Sequence, residues 1–312
     1  MAITAPMKTS DFAGLIPPHI AAAIFDDAAR VSAFQRIIPR IPLAASGETV
    51  PVITNKPTAN WAVEAGRKHT SNIGFSKLAM EPKKLTAISV MSTEVVRANP
   101  GNVSTQLRNA LAEAFAVAFD YAVGHGKGGD GTGSGPFEHN LAEATKSIEI
   151  GTTTKDNGGV HGDFAAALKL MVADKKKLTG WALDSAMEPI LWGATDNTGR
   201  PLYVDLPMDE ASQALQEGHI DVSRPGRLLN RPSSMGDGVG ADTVRGFFGD
   251  FTKAAWGAVG AITYRVSTEA SVTINGQLTS LFENNLVAVL AEAEYGFVMQ
   301  SADFFGKLTD AA

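Results

Sequence analysis

A chain of 312 residues with 44% hydrophobic and 19% charged side chains is ordinary globular material, long enough to bury a real core as one large domain or two smaller ones. It has no cysteine, which excludes a disulfide framework and any thiolate metal site. The formal charge is -6 and no basic stripe interrupts it, so the chain does not read as one that grips DNA phosphates, although a weakly repelling wall suits a container that encloses DNA without binding it.

The first residues, MAITAPMKTSDFAGLIPPHI, lack the basic and continuous apolar regions of a secretory signal, and no apolar run approaches the length of a membrane span. The expectation is a protein made and kept in a cytoplasm, without a membrane partner. IAAAIFDDAARVSAFQRII reads as a short helix bracketed by Pro17 and Pro18 on one side and Pro39 and Pro42 on the other. ASGETVPVITNKPTANW then alternates but carries Pro51 and Pro57, which suits an edge strand or an extended arm. In WAVEAGRKHTSNIGFSKLAMEPKKL, residues 61–85, Trp61 and Val63 alternate with smaller residues. A polar stretch with Arg67, Lys68 and His69 follows, and Phe75, Leu78 and Met80 resume an apolar strand. This pattern predicts a two-stranded excursion with a charged tip and Trp61 as an aromatic anchor at its base. A lone hairpin is marginal in water, so it must lie on its own domain or on another molecule.

STQLRNALAEAFAVAFDYAVG, residues 104–124, is the strongest helix. Leu107, Leu111, Phe115, Ala118 and Ala122 share one face, Val117 and Tyr121 begin a second, and Asn102 or Ser104 and Gly124 stand where caps belong. A helix apolar on two sides is a spine through the fold. GHGKGGDGTGSGP, residues 124–136, fits G-x-G-x-x-G, but it follows a helix instead of a strand, and Lys127 precedes glycine instead of Ser or Thr. It therefore reads as a flexible connection and not a phosphate cradle. Residues 150 to 282 suggest a compact mixed domain: a helix capped by Asp163, a solvated end at Lys175–Lys177, a strand-rich second half, and Trp181, Trp192 and Trp256 in the core. The closing stretch FENNLVAVLAEAEYGFVMQSADFFGKL alternates as strands joined through Tyr295 and Gly296.

Catalytic signatures are absent. There is no H-E-x-x-H, G-x-S-x-G or calcium loop, and the six histidines are scattered. His161 and Asp163 are the nearest approach to a ligand pair, and the carboxylate pairs Asp26–Asp27 and Glu292 with Glu294 read as surface acids. No nucleophile, base and orienter come together, so neither an enzyme nor a cofactor is expected.

The order of segments resembles the major capsid proteins of tailed bacteriophages, whose shared fold is named after phage Hong Kong 97. SGETVPVITNKPTANWAVEAG, with Trp61 and Glu64, is similar to that family's lead-in to an extended loop, and FSKLAMEPKKLTAISVMSTEVV to its returning limb. The helix at 104–124 resembles the spine helix. WALDSAMEPILWGATDNTGRPLYVD, GRLLNRPSSM and FFGDFTKAAWGAVGAITYRVSTEA resemble the axial domain, and the final 30 residues the closing strands. Asn230 stands where many relatives carry glycine, and there is no room for a large N-terminal scaffolding segment. The resemblance implies an α+β fold with an N-terminal arm (1–47), an extended loop (48–87), a peripheral domain (88–135), an axial domain (136–282) and return strands of the peripheral domain (283–312).

It further implies self-assembly into pentamers and hexamers of an icosahedral head shell enclosing double-stranded DNA. Such a shell is assembled in a host bacterial cytoplasm with a separate scaffolding protein and a portal, and a decoration protein is a further candidate partner. The loop is then expected to lie across a neighbour through Trp61, Glu64, Arg67, Lys68, His69, Phe75 and Lys77, its basic tip meeting Glu113 and Asp120 on the exposed side of the spine helix. Some members join a loop lysine to a neighbour's asparagine, for which Lys68 and Lys77 with Asn284 and Asn285 are candidates, although no motif ties them. The alternatives are an encapsulin-type nanocompartment shell and a soluble α+β enzyme with a ligand site in the glycine loop.

Overall fold

The computed structural model describes residues 32–64, 66–98, 103–195, 201, 203–205, 224–260 and 262–310. In chain order its elements are α1 (Ala33–Ile37), β1 (Glu48–Asn55), β2 (Gly74–Met80), β3 (Lys83–Ser92), α2 (Thr93–Ala98), α3 (Val103–His125), β4 (Lys146–Ile150), α4 (Gly159–Ala173), β5 (Gly180–Leu183), α5 (Glu188–Gly193) and β6 (Tyr203–Asp205). There follow β7 (Arg224–Leu228), β8 (Arg231–Met235), β9 (Val244–Gly249), β10 (Ala254–Ala258), β11 (Thr263–Ser267), β12 (Ser271–Ile274), β13 (Gln277–Ser280), β14 (Leu286–Met299) and β15 (Phe305–Asp310). Most of the helix expected before Pro39 lies outside the described residues; α1 is its last part.

β14 is a single strand of 14 residues, about 45 Å long at roughly 3.3 Å per residue. The expected break at Tyr295–Gly296 does not occur, because both residues stay in register with β10. β3 pairs along one edge of β14, from Lys83 opposite Tyr295 to Ser92 opposite Leu286. β10 and β11 lie end to end along the other edge. The second sheet has seven strands in the order β4-β15-β9-β5-β8-β7-β6. Residues 83–87, expected in the extended loop, thus pair in the body of the four-stranded sheet. Residues 254–267 belong to that sheet as well, and the last strand, 305–310, belongs to the seven-stranded one.

α3 is buried against strands of both sheets, which is why two of its sides are apolar. Leu111, Phe115, Phe119 and Val123 share one core with Phe247 from β9, Trp256 from β10 and Tyr295 and Phe297 from β14. Phe119 sits 5.8 Å from the Trp256 ring and 5.4 Å from that of Tyr295. Gly124 does not stop the helix. A side chain there would press on Phe34 and Phe247, and the reversal comes at Gly126, with φ +61°. On the far face of the seven-stranded sheet, α4 packs Phe164 and Met171 over Trp181, Phe248 and Leu308. Trp181 and Trp256 are buried, but Trp192 is 63% exposed: the short α5 turns Leu191 inward and the next side chain out. Asp163 is not a helix cap. α4 begins four residues earlier, and the buried Asp163 accepts hydrogen bonds from Gly151 N (2.7 Å), Thr153 N (3.1 Å) and the Thr153 hydroxyl, pinning the turn that follows β4.

Candidate assembly surfaces

The excursion predicted from residues 48 to 85 exists, and its root is built by two glycines. Gly257 and Gly296 face each other in the β10–β14 ladder. A β-carbon on Gly296 would lie 2.7 Å from Met80 Cγ, and one on Gly257 2.8 Å from Leu43 Cβ, so their absence opens a notch that Leu43 and Met80 fill. Ala255 and Val298 complete this small core. Farther out, Gln300 Nε2 donates to Ile53 O at 3.2 Å. Met80 lies at Gly296 and Ile53 at Gln300, so the arm runs the way β14 is heading and continues past its end.

Beyond the root the arm has only itself. β1 and β2 pair from Glu48 opposite Met80 to Asn55 opposite Gly74, a two-stranded ladder that tolerates Pro51 because both strands are edges. Pairing ends before Pro57. Trp61 therefore lies past the paired strands, fully exposed, and not at the base where an anchor was expected. Gly66 N donates to Val63 O at 2.9 Å, and the Thr58 hydroxyl meets His69 Nε2 at 3.0 Å, which closes the tip as a loop. Ile53 and Phe75 face each other across the ladder and remain exposed, as do Val63 and Ile73. Large apolar side chains gathered on one projection mark an association surface more than a solvated loop. Glu64, Arg67, Lys68 and Lys77 are exposed on the same arm, and Arg67 and Lys68 meet no carboxylate among the described residues.

Only one of the two acids expected to receive the tip is available. Glu113 is exposed on α3, but Asp120, two turns on, is 2% exposed and already engaged. Ser32 Oγ donates to its Oδ1 at 2.6 Å, Ala33 N to Oδ2 at 2.9 Å and Phe34 N to Oδ1 at 3.3 Å. Burial pushes its carboxyl up to about 7, while these three donors pull the other way. Asp120 is thus an internal tie between the spine and residues 32–34, and it is corrected from contact residue to core residue.

The glycine connection is more ordered than its composition predicts. Gly128 N donates to Thr132 O at 2.8 Å and Gly135 N to Gly126 O at 2.6 Å, and Lys127 reaches Asp242 at 2.8 Å. Its amides and its lysine are therefore occupied. Among the described residues no group of three His, Asp or Glu side chains could hold a metal. Asn284 Nδ2 donates to Ser280 O at 2.8 Å and Asn285 Nδ2 to Glu94 Oε1 at 2.6 Å. Both lie just before β14, a strand length from the arm root, so a bond from Lys68 or Lys77 to either would have to join separate copies.

A fold that assembles no reactive groups and carries its largest exposed apolar cluster on an arm defines a structural subunit made to associate with its own kind. The phage capsid family model matches residues 13–310, and this chain belongs to the phage capsid family. It is 34% identical over 308 residues to the "Probable major capsid protein gp17" of Mycobacterium phage D29, covering 96% of this chain and 91% of that one, and equally similar to the protein of the same name in Mycobacterium phage L5. Solved structures from Mycobacterium phage Cain (TM-score 0.67, 15% identity, 99% of each chain) and Gordonia phage Cozz (TM-score 0.65, 20% identity, 89% of this chain and 86% of that one) share the Hong Kong 97-type α+β fold. The protein is a structural capsid subunit of a phage particle and not an enzyme.

Proposed function

We propose that copies of this chain associate through the arm into rings of six and five that close an icosahedral head around double-stranded DNA. Head-to-tail contacts between identical subunits make rings when the rotation closes, and several modest contacts per subunit give a durable shell that still corrects its errors during growth. One observation carries this reading: the arm at 48–80 projects past the end of β14 with Trp61, Val63, Ile73 and Phe75 in water and no surface of its own to cover them. The four-stranded sheet with α3 then serves as the peripheral domain and the seven-stranded sheet as the axial domain. The chain's acidity fits a wall that encloses DNA without binding its sequence. Assembly takes place in a bacterial cytoplasm, with a scaffolding protein, a portal and a decoration protein as further partners.

Negative-stain electron microscopy with sedimentation, on the chain alone and then co-expressed with a scaffold, tests this. Rings or closed shells are expected. A clean monomer in both settings overturns it.

A further inference from the structure

The far end of β14 carries a second exposed apolar group. After β11 the chain makes the short hairpin β12–β13, and after it Leu281 N donates to Ala270 O at 3.0 Å and Leu286 N to Leu281 O at 2.9 Å, so hairpin and turn are fixed beside the first residue of β14. Leu278 is 77% exposed and Phe282 72%, with Val95 of α2 also exposed at this end. α2 is held here by Thr93 N donating to Asn285 O at 3.0 Å. The charge around these side chains has one sign. Glu269 and Glu283 are exposed and meet no cation among the described residues, and no Lys or Arg occurs from residue 266 to 285.

The arm tip is the complement in both respects: aromatic and aliphatic side chains in water, with Arg67 and Lys68 unpaired. Within one molecule the two surfaces cannot meet. The arm leaves from the Gly296 end of β14 and continues away from Leu286, so about 45 Å of strand and the arm's own length separate them. Two complementary surfaces at opposite ends of one rigid strand make a head-to-tail contact, which propagates from copy to copy.

We infer, resting on the arm reading above, that the arm tip of one copy docks on the acidic, apolar end formed by Phe282, Leu278, Val95, Glu269 and Glu283 of a second copy. Trp61 and Val63 meet Phe282 and Leu278, and Arg67 and Lys68 face Glu283 and Glu269. The exposed face of the spine helix at Glu113 is left out of this contact.

A charge swap tests the pairing on the full chain, co-expressed with its scaffold where assembly requires one. Arg67→Glu with Lys68→Glu, and separately Glu269→Lys with Glu283→Lys, should each lower particle yield on the order of tenfold, because a small loss per contact recurs at every subunit. The melting temperature of the unassembled subunit should not move in either pair. The fourfold variant should return yield to within about twofold of wild type, since the charges are again opposite. Phe282→Ala should lower yield in the same direction without touching charge. If the tip pair fails to assemble while the distal pair and Phe282→Ala assemble normally, the receptor lies elsewhere and the arm reading stands. If both single-end variants fail and the fourfold variant fails with them, the pairing is wrong. If both assemble as wild type, the arm reading falls too.

Discussion

Residues 32–43 and 48–80 are neighbours in sequence and meet at one notch, yet the first stretch buries Phe34 and Ile38 completely and the second leaves Trp61, Val63 and Phe75 in water. Their composition does not separate them, but their partners do. The first stretch finds the spine helix through Asp120 and strand β10 through Trp256, whose backbone N and O bond Pro39 O (3.2 Å) and Ile41 N (2.8 Å). The second finds only its own ladder. Burying a large apolar side chain is worth roughly 1.5–3 kcal/mol, so one stretch holds its subunit together and the other keeps a comparable quantity available for association. Stability and assembly should therefore come apart by mutation.

The largest expected effect is on the first side of that divide. Phe34→Ala removes a fully buried ring wedged between Gly124 and Phe247 and should cost about 3–5 kcal/mol in urea unfolding of the subunit. Trp61→Ala should leave that unfolding curve within about 0.5 kcal/mol, as exposed positions do, and reduce particle yield instead. Equal destabilisation by both would erase the distinction.

Asp120 sharpens it next. Asp120→Ala leaves two buried backbone N–H groups without acceptors, each worth about 1–3 kcal/mol. Its titration has a definite sign. The folded carboxyl, at about 7, holds its proton where the unfolded one, near 3.8, has lost it, so the native state binds more protons between those values. Stability contributed by the neutral acid is full below about pH 4, falls as pH rises and is gone above about 7. Unfolding free energies measured from pH 4 to 8.5 should decline across that window in the wild type and less so in Asp120→Asn. Parallel curves would mean that the three donors hold the carboxylate ionised throughout.

Gly296→Ala should act at the junction. The added carbon meets Met80 and Leu43 below 3 Å, a case of overpacking worth about 1–3 kcal/mol, and the relief available is withdrawal of the arm root from its notch. Protease cleavage between residues 43 and 48 should accelerate while the rest of the chain keeps its protection.

What could be read from the sequence was whatever depends on near neighbours. The spine helix was expected at 104–124 and runs Val103–His125; the hairpin was visible in two alternating runs around a polar tip. Contacts between distant segments were not legible. Seven residues separate Glu113 from Asp120, two helical turns, so periodicity puts both on one face and treats them alike. The face is covered only at Asp120, by residues 87 and 88 positions away in the chain. Gly257 and Gly296 look like strand punctuation until their register shows the notch, and Trp192 looks like core because aromatics usually are. The acidic end at Glu269 and Glu283 had a faint signal in Asn275–Gly276, a hairpin turn between two apolar runs, but nothing local says that its apolar residues stay in water.

Glu113→Lys should have the smallest effect and is the most discriminating for its size. Glu113 is exposed, so reversing it should move subunit stability by no more than about 0.5 kcal/mol. If the basic tip of a neighbour lands at the distal end of β14, particle yield should stay within about twofold of wild type, because a charge outside the contact is screened beyond about 8–10 Å at ordinary salt. If it lands on the spine helix, the same reversal sets lysine against Arg67 and Lys68 at every arm contact in the shell, and assembly fails with the subunit intact. Sedimentation of this one variant beside Asp120→Ala thus separates two acids that the helical repeat makes equivalent: one should change the fold and the other neither fold nor shell.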